Sequence, residues 1–101
     1  MEIKYRQMRN AIFDVSGKVA IVTGGTGVLG GSIAESFLTA GAKVVIIGRN
    51  EENVERKIEF FRKKFGEGEV LGYSCNVLDI DRLKIVKRDI LDKWNGVDIL
   101  I

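Results

Sequence analysis

Val19-Ala20-Ile21-Val22-Thr23-Gly24-Gly25-Thr26-Gly27-Val28-Leu29-Gly30 is the stretch on which the fold turns. It opens with an apolar, partly β-branched run, the pattern of a short strand buried on both faces. From Val28 to Ala40 the pattern is helical, with Leu29, Ile33 and Phe37 at four-residue spacing and Gly41 as a C-terminal cap. Between the two, Gly25, Gly27 and Gly30 satisfy G-x-G-x-x-G in the strand–turn–helix context that gives the motif its meaning. One glycine permits a tight turn off the strand, and another lets backbone approach a pyrophosphate with no Cβ in the way. Gly30 is expected to let the helix pack closely on the sheet. Unpaired N–H groups at the positive end of the helix then meet the anion. Thr23, Gly24, Gly25, Thr26, Gly27, Val28, Leu29 and Gly30 are therefore the expected phosphate-binding loop.

Towards the C-terminus the alternation continues. Lys43 to Ile47 reads as a second strand that stops at Gly48. Asn50 can cap a helix carrying Glu51 and Glu52 at its start and one apolar stripe, Val54, Ile58, Phe61 and Phe65. Glu59 and Lys63 form an i,i+4 pair on it, and Gly66 and Gly68 close it. Glu69 to Cys75 makes a third strand, and Asp79 to Lys93 a third helix with Leu83, Val86, Ile90 and Trp94 on one face. Val97 to Ile101 begins a fourth strand. The order βαβαβαβ predicts an α/β fold, a Rossmann-type doubly wound parallel sheet in the order 3-2-1-4, cut off after strand 4. Two helices should cover one face and the third the other. Strand 4 would then be an apolar edge of Val97, Ile99, Leu100 and Ile101. Such edges pair with other chains, so more of the same polypeptide or another subunit is expected beside it.

The strand ends carry the remaining candidates. An acidic residue near the end of strand 2 would accept from a ribose 2′-hydroxyl, as in NAD sites. Here Gly48, Arg49 and Asn50 stand instead, and a guanidinium suits a 2′-phosphate, so NADP is favoured over NAD. Arg49 pointing only to solvent is the plain alternative, and Glu51 and Glu52 lie close enough to complicate the choice. After strand 3, Asn76 precedes Val77, and its amide can pair with an adenine edge.

Composition narrows the rest. The 101 residues suit one nucleotide-binding domain, 1–101, with 46% hydrophobic and 30% charged residues, a globular balance. A net charge of +2 with both signs interspersed asks for neither nucleic acid nor a membrane surface, and no apolar run is long enough to cross a bilayer. Met1 to Ser16 has no signal-peptide core, and Cys75 is the only cysteine, which points to a reducing cytoplasm. Cys75 is read as a small buried residue, not a reactive thiol. Histidine is absent, which excludes His-based dyads and most transition-metal sites. Phe60, Phe61, Phe65 and Trp94 are read as packing residues, and Arg62, Lys63 and Lys64 as a solvated helix face.

Taken together, Phe13-Asp14-Val15-Ser16-Gly17-Lys18-Val19-Ala20-Ile21-Val22-Thr23-Gly24-Gly25 resembles the opening of a short-chain dehydrogenase/reductase. The loop matches that family's TGxxGxxG form at Thr23, Gly24, Gly27 and Gly30, while the TGxxxGxG form would need glycine at Val28. Gly27-Val28-Leu29-Gly30 is also similar to the sugar-acid branch, D-mannonate oxidoreductase or fructuronate reductase. Gly48-Arg49-Asn50 resembles NADP-dependent members, and Asn76-Val77 stands where the family has Asp-Val. Gly96 to Ile101 is similar to the lead into strand 4. The resemblance implies an oxidoreductase interconverting an alcohol and a ketone. It also implies an Asn-Asn-Ala-Gly segment, a serine and a Tyr-x-x-x-Lys pair beyond these residues. Tyr5 is followed by Arg9 and Tyr73 by Val77, so neither makes that pair, and the chain alone is expected not to catalyse hydride transfer. Tyr73 is read as a strand residue and nothing more. A non-catalytic NADP-binding module or split-enzyme partner is the second reading, and an S-adenosylmethionine-binding domain the third.

Overall fold

A computed structural model describes residues 15–101. The elements run β1 (Val19–Thr23), α1 (Val28–Thr39), β2 (Lys43–Gly48), α2 (Glu51–Phe65), a 3₁₀ turn (Glu67–Glu69), β3 (Val70–Ser74), α3 (Ile80–Trp94) and β4 (Ile99–Leu100). All strand pairs are parallel, in the order β3-β2-β1-β4, as the alternation predicts. Tyr5, Phe13 and Asp14, used above, lie outside the described residues.

Strand alternation divides the core in two. Val22, Val44, Ile46 and Val70 meet Ala34 and Leu38 of α1 and Val54, Ile58 and Phe61 of α2. Val19, Val45, Ile47 and Cys75 meet Val86 and Ile90 of α3, with Leu83 and Trp94 of the same helix packed against them. Two helices therefore cover one face and one helix the other. Cys75 is buried and free.

Helix boundaries follow local chemistry. α1 ends in a Schellman motif: the Gly41 N–H donates to the Leu38 carbonyl and the Ala42 N–H to that of Phe37, both at 3.0 Å. Asn50 Oδ1 accepts from the Asn53 N–H at 3.0 Å and caps α2. Asp79 lies outside α3 as its cap, accepting from the Arg82 N–H at 3.1 Å, and Asn95 at φ 63° ends that helix. Strand 3 is shorter than its sequence pattern suggests, because Glu67 to Glu69 close into a 3₁₀ turn. Strand 4 is also shorter. Asp98 exchanges hydrogen bonds with Val19 through its carboxylate and N–H, both 2.9 Å, and the ladder begins after it.

The two sheet edges differ. Along β3, the Arg62 guanidinium donates to the Val70 carbonyl at 3.0 Å and that of Arg82 to the Ser74 carbonyl at 3.2 Å. Guanidinium groups on edge carbonyls block further pairing. Along β4 no such guard stands among the described residues, and Leu100 is 71% and Ile101 45% exposed. Arg62 and Lys64 thus do more than face solvent, since Lys64 also ion-pairs with Glu35 and ties α2 to α1. Phe60 departs from its packing assignment: its edge meets Phe61, yet it is 55% exposed, because its position on α2 turns away from the sheet.

Tyr73 is more than a strand residue. Its hydroxyl donates to Asp89 Oδ2 of α3, and Lys93 lies 3.2 Å from the same oxygen. Burial, then the hydrogen bond and charge of Asp89, push the phenol well above its ordinary range, so it stays protonated and donating. The Tyr73 hydroxyl, followed by Lys93, holds the Asp89 carboxyl below the usual carboxylate range. The lowered carboxylate contributes stability above its unfolded pKa and loses it as pH falls through the folded value. The raised phenol contributes below its unfolded pKa and loses it as pH climbs. In Tyr73→Phe, Asp89 is expected to titrate at higher pH than in the parent, followed by carboxyl NMR shifts. The stability gap between the two proteins should be widest near neutral pH and close in acid. An unmoved Asp89 titration would show that Lys93 alone sets it.

Candidate nucleotide site

All three groups of candidate residues lie at the carboxyl ends of the strands. Register pairs Thr23 with Ile47 and Gly48 with Ser74, so the loop after β1, Gly48-Arg49-Asn50 and Asn76-Val77 share one rim. Ligands of open parallel sheets bind along such a rim, where the strand order reverses.

The glycines divide their work differently from the simple motif reading. Gly24 makes the turn, at φ +68°, a backbone region costly for any residue with a Cβ. Gly25 packs on the neighbouring strand, since a Cβ there would lie 2.9 Å from Ile46 Cγ2 and 3.2 Å from the Val22 carbonyl oxygen. Gly30 packs on the loop rather than on the sheet: its Cβ would fall 2.1 Å from the Gly24 carbonyl oxygen. Helix α1 therefore rests directly on the turn that precedes it. Gly24 and Gly27 both have room, but only Gly27 combines it with a φ of −79° that side chains adopt, the Gly24 oxygen lying 3.5 Å from an added Cβ.

Gly27 also caps α1 without a side chain, and no side chain accepts from the first turn. Among the described residues, the Val28, Leu29 and Gly30 N–H groups have no acceptor, while the Gly31 N–H bonds Gly27 at 2.8 Å. Helix-end donors without partners form an anion-binding arrangement. Val28 and Leu29 are 93% and 76% exposed, a large apolar display at the mouth of this loop.

The other candidates have mixed duties. Thr23 Oγ1 donates to the Ile101 carbonyl at 2.8 Å and locks β1 to β4, so its hydroxyl proton is already used. Thr26 sits over the end of β2, where a Cβ on Gly48 would lie 3.0 Å from its methyl group. Gly48 is thus the contact that seats the loop. Arg49 is exposed, its carbonyl accepts from Ser74 Oγ at 3.1 Å, and its guanidinium has no ion-pair partner among the described residues. Glu52 is engaged by Arg56 at 3.4 Å, which settles one of the two nearby acids. Asn50 spends its oxygen on the α2 cap. Asn76 Oδ1 accepts from the Leu78 N–H at 3.0 Å, leaving its amide hydrogens as donors, and Val77 beside it is 45% exposed. The motif reading missed Asn53, Arg56, Lys57 and Phe60, which with Thr26 line an open groove of about 370 Å³ beside the loop. No local signal marks them, because the groove exists only once α2 packs next to α1. Among the described residues no His, Cys, Asp and Glu cluster could hold a metal, and no helix is long and apolar enough to cross a membrane.

Known proteins share this fold. An uncharacterized oxidoreductase of Mycobacterium tuberculosis is 35% identical over 96 residues, which is 94% of this chain and 28% of the relative. The chain thus spans under a third of that relative's length. 2-Keto-3-deoxy-D-gluconate dehydrogenase of Streptococcus agalactiae superposes with a TM-score of 0.81 at 35% identity, covering 94% of this chain and 35% of that one. L-Sorbose reductase of Gluconobacter frateurii, solved with NADPH and L-sorbose, gives 0.79 at 31% identity over 87% of this chain and 34% of its own. A short-chain dehydrogenase/reductase of Burkholderia phymatum, solved with NAD, gives 0.80 at 26% identity over 87% of this chain and 31% of its own. The last two of these were solved with NADPH and with NAD. Residues 18–101 match the family model described as short chain dehydrogenase, and with its parallel sheet and glycine loop the chain belongs to the short-chain dehydrogenase/reductase family.

Proposed function

We propose that residues 1–101 form the dinucleotide-binding part of an oxidoreductase that interconverts an alcohol and a ketone, with NADP as the preferred cofactor. One observation carries the reading: three unpaired N–H groups follow Gly27, a loop glycine with room around its α-carbon and an extended backbone at φ −79°. Backbone amides in that arrangement hold a pyrophosphate. Thr26 to Gly30 would take the pyrophosphate, Arg49 the 2′-phosphate, and Asn76 with Val77 the adenine. When bound, the cofactor supplies the hydride chemistry; these residues bind and orient its adenosine side. The likeness to a keto-deoxy-gluconate dehydrogenase and to a sorbose reductase supports a sugar or sugar acid as the substrate class. Proton transfer to such a substrate needs an acid of lowered pKa, which the raised Tyr73 phenol cannot supply. We place that group on polypeptide pairing with the unguarded β4 edge, either a continuation of the same chain or a second subunit.

The consequence is lopsided binding, with adenosine anchored and nicotinamide loose. Calorimetry on this chain should give affinities for NADP and for 2′-phospho-ADP-ribose, which keeps the pyrophosphate and lacks the nicotinamide, within about threefold of each other, under 1 kcal/mol apart. A nicotinamide half that adds several kcal/mol would overturn this division of the site. No binding of either nucleotide would overturn the cofactor assignment itself.

A further inference from the structure

Helix α2 carries Arg56, Lys57, Arg62, Lys63 and Lys64. Four of them have acceptors: Arg56 on Glu52, Arg62 on the Val70 carbonyl, Lys63 on Glu59 and Lys64 on Glu35. Lys57 has none among the described residues. It is nevertheless not a free surface lysine. Its Nζ lies 5.9 Å and 5.6 Å from the ring centres of Phe60 and Phe61. The same ammonium and its Cε stand 3.2 and 3.4 Å from where a Cβ on Gly31 would be, against the first turn of α1. The side chain is thus held folded inward, and glycine at 31 leaves the room it occupies.

This ammonium opens into the groove shared with Thr26, Asn53, Arg56 and Phe60. Thr26 is both a loop residue and the contact over Gly48, so the groove lies on the β2 side of the glycine loop. That is the side on which a bound adenosine presents its ribose 2′ position. A lysine without a counter-ion, held at the positive end of a helix, stands against the local electrostatics until an anion arrives. Arg56 can join it, because its pair with Glu52 is exposed on both partners and holds it weakly.

We propose that Lys57 is a specificity-determining residue that recognises the 2′-phosphate of the dinucleotide from α2, with Thr26 and Arg56 beside it. The inference rests on the nucleotide reading above and extends it: selectivity for NADP resides on two elements, Arg49 after β2 and Lys57 on α2. Lys57→Gln removes the charge and keeps a polar end on a side chain one bond shorter.

The test is an NMR shift titration of the whole chain with adenosine 2′,5′-bisphosphate and with 5′-AMP, which lacks only the 2′-phosphate. Lys57→Gln should bind the bisphosphate roughly tenfold more weakly, the loss of one charge-assisted contact, and leave 5′-AMP unchanged. Lys57→Arg should restore most of the difference, and preserved amide dispersion shows that each variant is folded. Equal weakening for both nucleotides, or no change for either, overturns the role of Lys57 while the nucleotide reading stands. A parent chain that binds neither nucleotide removes both.

Discussion

Gly30→Ala is expected to lower the melting temperature by roughly 15 °C, the effect of about 2–3 kcal/mol on a domain of this size. By intrinsic preference the change should help, since alanine exceeds glycine inside a helix by about 1 kcal/mol. Packing reverses the sign. The new Cβ would lie 2.1 Å from the Gly24 carbonyl oxygen and 2.7 Å from its carbon, both backbone atoms of the turn beneath. Relief requires α1 to lift from the loop, and Gly24 cannot retreat freely because its N–H bonds the Ile47 carbonyl at 2.9 Å. Lifting α1 would also unseat Ala34 and Leu38 from the core. Ser32→Ala, on the exposed side of the same helix, should stay within about 0.5 kcal/mol of the parent. Thermal unfolding followed by circular dichroism decides it. A Gly30→Ala protein as stable as the parent would mean that the loop yields, and that its shape is not what holds the helix end open.

At Gly27 the opposite outcome is expected: binding lost, stability kept or raised. The position is extended, with φ −79° and ψ 172°, and open to an added Cβ. Aspartate there can accept from the first-turn N–H groups that α1 leaves without a cap, so Gly27→Asp should stabilise the fold by about 0.5 kcal/mol. The same carboxylate would stand where the pyrophosphate is expected. Two negative charges a few ångströms apart at an intermediate dielectric repel by up to about 4 kcal/mol, so affinity should fall at least roughly a hundredfold. Melting and nucleotide titration on one sample separate the effects. Unchanged affinity would remove the glycine loop from the site. A lost fold would mean that the turn tolerates no side chain at 27. Gly27 and Gly30, three residues apart in one motif, therefore differ, one facing open space and one facing the protein.

The sequence by itself determined the alternation of elements, the strand order, the face each helix covers and the position of the glycine loop. Each depends on local periodicity, capping chemistry and the handedness of parallel crossovers, all expressed within a few residues. Asn50 and Asp79 cap helices for this local reason, and Val54, Ile58 and Phe61 are buried because they share one side of a helical repeat. The tertiary structure decided which atoms meet. Gly30 abuts the Gly24 carbonyl rather than the sheet, Tyr73 of β3 reaches Asp89 of α3, and Asp98 binds Val19 just ahead of the fourth strand. It also decided which cations are spent and which are free. Lys57 and Lys64 look alike in the chain, but among the described residues Lys64 finds Glu35 and Lys57 finds aromatic rings and the space left by Gly31. Pairing of that kind joins residues far apart along the backbone, and periodicity carries no information about it until two helices lie side by side.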